Sequence, residues 1–236
     1  MERVGCKLVG GPGLRADSSR MQKQSRLSRR AFLASTFGVG MMLRAGRLQS
    51  SEVETTQPSP VYLFDKVCVQ AGLSLEETAA LVRAAGLDGV DCAVRPGDRI
   101  EPARVQEDLP RYQALLRATG CRVGLLTTAI LGPESPHARG ILETARALGI
   151  RFYRLGFLKK DPAEPVNHQI RQVRKRLEAL VSWNRELGLC ALLQNHSPAG
   201  GTQYLGGDLS EMAALVDGFD PADVAVAFDP GHALLV

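Results

Sequence analysis

Short apolar runs recur along this chain at a spacing that is too long for hairpins. The runs begin near residues 61, 89, 122, 151, 189 and 224, so consecutive runs start 28 to 38 residues apart. Parallel strands need a crossover of a dozen or more residues, usually a helix, whereas hairpin strands need only a short turn. Continuous apolar strands also belong to sheets that are covered on both faces. The spacing therefore predicts an α/β fold with six parallel strands.

Helix signals fill the gaps between these runs. Ser74-Leu-Glu-Glu77 has the pattern of a capping box, in which two side chains accept hydrogen bonds from orphan N–H groups at a helix start. Asp208 is placed to cap a later helix. The predicted strands are 61–64, 89–94, 122–128, 152–155, 189–194 and 224–229, and the predicted helices are 74–85, 104–119, 135–148, 166–187 and one beginning at 208.

Two architectures would place such strands in one parallel sheet. One is an open doubly wound sheet, and the other is a (β/α)8 TIM barrel, which typically takes about 250 residues. Residues 61–236 provide 176, so a barrel would be truncated after about six βα units. The spacing alone leaves both architectures open.

The first 46 residues have the composition of an export leader. Ser28-Arg-Arg-Ala-Phe-Leu33 precedes the apolar stretch 34–43, and two adjacent arginines there resemble a bacterial twin-arginine signal. Met21 begins a leader of more typical length and is a second candidate for the translation start. Residues 47–60 are then a polar linker. We therefore expect export to the periplasm or the extracellular space, with residues 61–236 as the working domain.

Charge is divided unevenly between the leader and the working domain. The chain has a net charge of +4, but residues 1–46 hold nine of the 29 basic residues and two of the 25 acidic ones. The remainder has 20 basic and 23 acidic side chains, a net charge of −3. A nucleic-acid-binding domain would be basic, and an integral membrane protein would need an apolar run of about 18 residues, which is not found. The sequence therefore argues against a nucleic-acid partner and against a membrane-spanning protein.

Polar side chains follow the predicted strands at their carboxyl ends. In parallel α/β folds the reactive side chains collect at this edge of the sheet. Basic and amide side chains there would hold hydroxyl, carboxylate or phosphate groups of a small molecule. The candidate substrate-binding residues are Lys66, Arg95, Arg154, Asn195 and His196.

Asp229 and His232 form the most specific pair in the chain. They flank a Pro-Gly turn after the sixth strand, where a carboxylate oxygen and an imidazole nitrogen can bind one divalent cation. Gln194, at the end of the neighbouring strand, offers a neutral oxygen to the same ion. A structural role is the alternative, in which Asp229 caps the turn and His232 is hydrogen-bonded within it.

Several motifs at strand ends and helix starts occur in a fixed order. They are Leu63-Phe-Asp-Lys66, Gly89-Val-Asp91, Arg95-Pro-Gly97, Glu107-Asp-Leu-Pro110, Leu126-Thr-Thr128, Gln194-Asn-His-Ser197, Gly206-Gly-Asp-Leu209, Phe219-Asp-Pro221 and Phe228-Asp-Pro-Gly-His232. Over residues 61–236 this set resembles the xylose-isomerase-like TIM-barrel superfamily of sugar-phosphate isomerases and epimerases, including exported members with twin-arginine leaders. The resemblance implies a (β/α)8 barrel, here truncated after about six βα units.

The resemblance also implies a chemistry. It suggests a divalent-metal-dependent isomerase or epimerase of a sugar, sugar phosphate or keto acid, which acts through an enediolate. Asp229 and His232 would bind the metal (Mn, Co, Zn or Mg), with Gln194 as a weak ligand or a substrate-orienting amide. Family members complete the site with a Glu on strand five and with residues of strands seven and eight. The catalytic residue of this chain therefore stays unassigned. A homo-oligomer is compatible with the sequence.

Two other functions remain compatible with the resemblance. A non-catalytic carbohydrate-binding barrel would keep the pocket without a base, which Gln194 favours because an amide is not a base. A metal-dependent phosphodiesterase of the apurinic-endonuclease type would share the barrel, but the acidic domain and the export leader argue against it. Turnover of a ketose or keto acid with added metal would separate the enzyme from the binding barrel.

Overall fold

The computed structural model describes residues 59–235, which form an α/β unit on one parallel sheet. The strands are β1 (Tyr62–Phe64), β2 (Gly89–Val94), β3 (Arg122–Thr128), β4 (Phe152–Arg154), β5 (Cys190–Gln194) and β6 (Val224–Ala227). The helices are α1 (Lys66–Gln70), α2 (Leu75–Ala84), α3 (Val105–Ala118), α4 (Ala138–Ala147), α5 (Val166–Leu187), α6 (Leu209–Val216) and α7 (Pro230–Ala233), with a 3₁₀ turn at Pro102–Arg104.

The strand order decides between the two expected architectures. The order in the sheet is β1-β2-β3-β4-β5-β6, and every neighbouring pair is parallel. A doubly wound sheet reverses its strand order at a switch point, whereas a barrel wall adds each strand beside the one before it. The α/β prediction is therefore confirmed, and the described residues have the strand order of six consecutive units of a TIM barrel.

Alternation along the strands separates a helix-covered face from an inner face. Val90, Cys92 and Val94 of β2 are fully buried and belong to the core that packs against the helices. Asp91 lies between them on the opposite face, as the period of two in a strand requires. Thr127 is in register with Ala93 on one side and with Arg154 on the other, so these side chains share that inner face.

Buried hydrogen bonds join the helix-covered face of the sheet to α5. The hydroxyl of Tyr153 in β4 donates to Asn184 Oδ1 at 2.8 Å, and Asn184 Nδ2 donates to the carbonyl of Asp223 at 2.9 Å. Tyr153 and Asn184 are both fully buried. The bridge therefore holds β4, α5 and the start of β6 together without leaving a buried polar group unpaired.

Most helix boundaries match the sequence pattern, and the capping box at Ser74 is confirmed. Ser74 Oγ accepts from the N–H of Glu77 at 3.1 Å, and Glu77 Oε2 accepts from the N–H of Ser74 at 2.8 Å. α4 begins at Ala138, three residues later than the predicted start. Ser135 does not cap this helix because its hydroxyl accepts from the N–H groups of Leu131 and Gly132, which closes the preceding loop.

Part of the predicted organisation lies outside the described residues. The twin-arginine leader at 1–46 and nearly all of the linker at 47–60 fall there, so export stays a prediction. Within the part of the chain that the structure describes, no helix has both the length and the apolar character to cross a membrane.

A buried carboxylate joins β1 to β2. Asp65 is fully buried, and its Oδ1 accepts from the N–H of Ala93 at 2.9 Å. Its other oxygen has no hydrogen-bond partner, and Arg99 Nε lies 3.7 Å away. Burial is the main cause that raises the pKa of Asp65 from 3.8 to about 6.

This carboxyl makes the stability of the fold depend on pH. Because the folded pKa lies above the unfolded one, Asp65 stabilises the fold below about pH 4, and this contribution disappears as the pH rises through about 6. Asp65→Asn keeps the acceptor for the Ala93 N–H. It should reduce the loss of unfolding free energy between pH 4 and pH 7, a loss of about 3 kcal/mol at most. Urea unfolding between pH 4 and pH 7 measures this, with exposed Asp217→Asn as the control. An unchanged slope in Asp65→Asn would refute the assignment.

Candidate functional site

Asn195 clamps the main chain of Asp229. Its Nδ2 donates to the Asp229 carbonyl at 2.8 Å, and its Oδ1 accepts from the Asp229 N–H at 2.7 Å. The Asn195 side chain is fully buried. In the structure it positions Asp229, whereas the sequence predicted that it would contact the substrate. The clamp also explains why β6 ends at Ala227 and not at the predicted residue 229, since Asp229 leaves the ladder and caps the N-terminus of α7.

The Asp229 and His232 side chains lie together at the carboxyl edge of the sheet. Asp229 Oδ1 accepts from the backbone N–H of His232 at 3.0 Å, and Asp229 Oδ2 lies 3.8 Å from His232 Nε2. The hydrogen bond from this N–H is the main cause that lowers the pKa of Asp229, so the carboxylate is ionised. The capping role and the metal-ligand role thus use different oxygens of the same carboxylate.

Ser197 fixes the orientation of the His232 ring. Ser197 Oγ and His232 Nδ1 are 2.9 Å apart. When Nδ1–H donates to this hydroxyl, Nε2 carries the lone pair on the side that faces Asp229. A hydrogen bond on the distal ring nitrogen is the usual way in which a protein orients a metal-binding histidine.

Gln194 supplies a third polar group at this point. Its Nε2 donates to Asp229 Oδ2 at 2.9 Å, while its Oε1 is buried without a hydrogen-bond partner. A half-turn of the terminal amide exchanges the two atoms, so that Oε1 can face the same place as the carboxylate oxygen. An orphaned acceptor beside an ionised carboxylate is an arrangement that a cation would satisfy.

These residues fit a divalent cation as a partial ligand set. The described residues contain no cluster of three or more His, Cys, Asp or Glu side chains able to hold a metal. They offer two strong ligands, Asp229 and His232, and one neutral oxygen from Gln194. Catalytic metal sites keep coordination positions for water or substrate, which a set of this size would leave free.

Aromatic rings pack around His196, whose own ring lies against that of His232. The ring of His196 lies 3.9 Å from that of His232, and the rings of Phe157 and Tyr204 lie 4.4 Å and 4.8 Å from His196, all between centroids. His196 Nδ1 is 2.7 Å from the carbonyl of Ser197, to which its N–H donates. The Nδ1 of His196 is thus engaged by the loop, and its ring packs against the metal-ligand candidate His232.

A second group of charges lies on the inner face of the sheet. Both oxygens of Asp91 accept from the Thr127 hydroxyl, at 2.8 and 2.9 Å. Burial is the main cause that raises the pKa of Asp91, against the hydrogen bond from Thr127 and the charges of Arg154 and Arg95. Arg154 is buried beside Phe64, and burial lowers the pKa of its guanidinium.

The remaining basic candidates have more exposed positions. Arg95 follows β2, and its Nε donates to Asp98 Oδ2 at 2.8 Å. Lys66 is the first residue of α1 and is half-buried. Among residues 59–235 the Lys66 side chain has no hydrogen bond or ion pair.

Asp91 and Ser197 lie in the candidate site, but neither was among the residues predicted from the sequence to have a role there. Both occur in the quoted motifs, but their partners Thr127 and His232 are 36 and 35 residues away in the chain. The sequence contains a signal for Asp91, because a single carboxylate within an apolar strand costs free energy to bury unless it has a partner. Ser197 carried no such signal.

A well-formed cavity lies away from this site. It has a volume of about 840 Å³ and lies toward the amino ends of the strands, where Tyr62, Arg122 and Phe152 line it. None of the candidate site residues lines it. In complete TIM barrels this end has a structural role, and chemistry takes place at the carboxyl edge.

Comparisons with known proteins agree with this fold. A family model described as a xylose isomerase-like TIM barrel matches residues 79–236. A 3-keto-D-glucoside 4-epimerase from E. coli has 14% identity and a TM-score of 0.53, over 68% of this chain and 65% of its own. A D-allulose 3-epimerase from Methylomonas sp. has 15% identity and a TM-score of 0.54, over 69% of this chain and 59% of its own.

At such identities the likeness concerns the fold. This chain spans less than two thirds of the length of either epimerase. No curated protein matches it by sequence.

The Asn195 clamp should be important for stability. Asn195→Ala leaves the N–H and the carbonyl of Asp229 without their partners, so the free energy of unfolding should fall by about 2 to 3 kcal/mol. Urea denaturation at pH 7 measures the loss. Asn167→Ala, an exposed asparagine in α5, is the matched control and should change stability by less than about 0.5 kcal/mol. If both substitutions lower the free energy of unfolding equally, the clamp contributes no more to stability than an exposed asparagine does.

Proposed function

Because the chain belongs to the xylose isomerase-like TIM barrel family, we propose that it is a divalent-metal-dependent isomerase or epimerase of a sugar, sugar phosphate or keto acid. One observation supports this most directly. An ionised carboxylate and an oriented imidazole face each other at the carboxyl edge of a barrel-type sheet, with Asp229 Oδ2 and His232 Nε2 3.8 Å apart. This edge is where TIM-barrel enzymes carry their chemistry.

In this proposal Asp229 and His232 hold the ion, and Gln194 gives a neutral oxygen or orients the substrate. A bound divalent cation would act as a Lewis acid that stabilises the negative charge developing on a substrate oxygen. Asn195 keeps Asp229 in place through its main chain. With Nδ1–H as the donor to Ser197 Oγ, His232 would have the lone pair of Nε2 on the side of the carboxylate. The choice among Mn, Co, Zn and Mg is left to measurement.

Gln194 cannot move a proton, so another group must do so. Asp91 is the carboxylate that the structure offers for this step. It lies on the inner face of the sheet, and its raised pKa brings it closer to neutral pH, where a carboxyl exchanges protons more effectively. Thr127 orients it through both oxygens. We assign to Asp91 the removal of the proton next to the substrate carbonyl and, in an isomerisation, its delivery to the neighbouring carbon of the enediolate.

The basic side chains are assigned to substrate binding. Arg154 lies on the same inner face as Asp91, and Lys66 and Arg95 lie at the carboxyl ends of the first two strands. Their N–H donors suit the hydroxyl, carboxylate or phosphate groups of a sugar derivative.

A non-catalytic carbohydrate-binding barrel is the second candidate. The observation that favours it is Gln194, an amide that donates to Asp229 at a strand-end position where a carboxylate would serve as a base. Such a protein would bind a sugar and gain thermal stability without converting it. Incorporation of deuterium from D₂O into a bound ketose, followed by proton NMR with added Mn²⁺, distinguishes the two functions.

The metal assignment is testable without any substrate. His232→Gln and Asp229→Asn should each weaken Mn²⁺ binding at least about tenfold, and Ser197→Ala should weaken it by about tenfold. The EPR signal of free Mn²⁺ in a titration of the full chain measures the affinity. His168→Gln, an exposed histidine in α5, is the control and should bind Mn²⁺ like the unchanged protein. If His232→Gln and His168→Gln bind equally well, His232 is not a ligand.

The role of Asp91 predicts a separate kinetic effect. Asp91→Asn should lower kcat for deuterium incorporation into D-fructose 6-phosphate at least about a hundredfold while it leaves Mn²⁺ affinity unchanged. In the unchanged protein, the acidic limb of the kcat profile should lie at a higher pH than an ordinary aspartate would give, because burial raises the pKa of this carboxyl. Asp217→Asn serves as the control. A normal kcat in Asp91→Asn would assign the proton transfer elsewhere.

A further inference from the structure

Arg154 is a buried charge that the protein itself does not pair. The residue is only 8% exposed, and its Nε is buried without a hydrogen-bond partner. Among residues 59–235 no carboxylate forms an ion pair with its guanidinium. The carboxylates of Asp91 and Asp229 act on it only from a distance, through their charge. A buried charge without a partner is costly, so a fold that keeps one needs a reason to keep it.

Two aromatic rings hold the guanidinium in place. Its Cζ lies 5.6 Å from the ring centroid of Phe64 and 5.1 Å from that of Phe157. Cation–π contacts of this kind engage the plane of a guanidinium, while its five N–H donors point outward within that plane. The rings therefore fix the side chain without using its hydrogen-bonding capacity.

Arg95 lies beside the same ring as Arg154 but differs from it in having an ion pair. Its Cζ lies 5.7 Å from the same Phe64 ring. Both its Nε and its Nη2 lie 2.8 Å from Asp98 Oδ2, so its charge is neutralised within the protein. Of the two guanidinium groups beside Phe64, only that of Arg154 has no ion pair among residues 59–235.

The surroundings of Arg154 place it in the site. It is in register with Thr127 on β3 and with Leu192 on β5, and Gln194 lies two residues beyond Leu192 on the same face. The Asp91 carboxylate on this face has both oxygens engaged by the Thr127 hydroxyl. Arg154 thus carries free donors on the face where the orphaned Oε1 of Gln194 also lies.

We propose that Arg154 binds an anionic group of the substrate, so that the substrate is a sugar acid or a sugar phosphate and not a neutral sugar. A planar guanidinium with free donors matches the two oxygens of a carboxylate or phosphate. This inference rests on the proposed function, because it names the class of substrate for the same site. It explains why the fold keeps a buried charge that has no direct ion pair among residues 59–235.

Binding of three sugars to the full chain tests the proposal. The probes are D-glucuronate, D-glucose 6-phosphate and D-glucose, titrated by calorimetry at pH 7 with and without Mn²⁺. At least one of the two anions should bind about tenfold or more tightly than D-glucose. The better anion identifies the carboxylate or the phosphate as the natural group. If both anions bind no better than D-glucose, the proposal is wrong.

Substitutions at Arg154 locate the effect. Arg154→Met should abolish the preference for the anion, and Arg154→Lys should keep part of it, since a lysine retains the charge without the planar fork. Arg151→Met, an exposed arginine just before β4, is the matched control and should keep the full preference. An anion preference that survives in Arg154→Met would overturn the assignment.

Stability gives an independent measurement. Without ligand, Arg154→Met should unfold at the same or a higher temperature than the unchanged protein, because it removes an unpaired buried charge. A merely structural arginine would show the opposite pattern, with a lower unfolding temperature in Arg154→Met and an unchanged anion preference in Arg154→Lys. That pattern would refute the proposal.

The test also separates this inference from the proposed function. If no probe or ketose is converted but the anion preference depends on Arg154, the isomerase function is wrong and the anion site stands. If neutral ketoses are converted with the same KM by the unchanged protein and by Arg154→Met, the function stands and the anion site is wrong.

Discussion

Parallel pairing of each strand with the next one along the chain is the constraint on which the rest of this structure depends. It brings the carboxyl ends of β1 to β6 to one edge, and it places every second side chain on one inner face. Residues far apart in the chain thereby become neighbours, as Asp91 and Thr127 do across β2 and β3. The candidate site is a consequence of this pairing, since it joins residues 194–197 at the end of β5 to Asp229 and His232 after β6.

The inner face and the carboxyl edge of the sheet carry charged side chains, which are costly to bury. Each of these side chains is held by a different kind of contact. Asp229 is held through its main chain by Asn195, and Asp91 accepts hydrogen bonds from Thr127. Arg154 lies between rings and keeps its donors free. Buried polar groups with incomplete partners reduce stability, and they are found where a ligand completes them. This division separates the residues that build the site from those left available to bind.

The structure supports the sequence-based interpretation most firmly where the signal was local. The βα spacing, the capping box at Ser74 and the bounds of α5 follow from patterns within a few turns of chain, and all three are confirmed. The errors occur where a distant or competing partner intervened. Ser135 bonds its own loop and so does not cap α4, and β6 stops early because Asn195 captures Asp229.

The sequence by itself determined the parallel sheet, the edge where its polar residues collect, and the closeness of Asp229 to His232, which are three residues apart on one turn. Only the tertiary structure decided what each polar group faces. Asn195 meets Asp229 across 34 residues, Ser197 meets His232 across 35, and Arg154 is left without a protein partner. The physical reason is that these contacts depend on strand register and on loop conformation, and hydrophobic periodicity specifies neither of them.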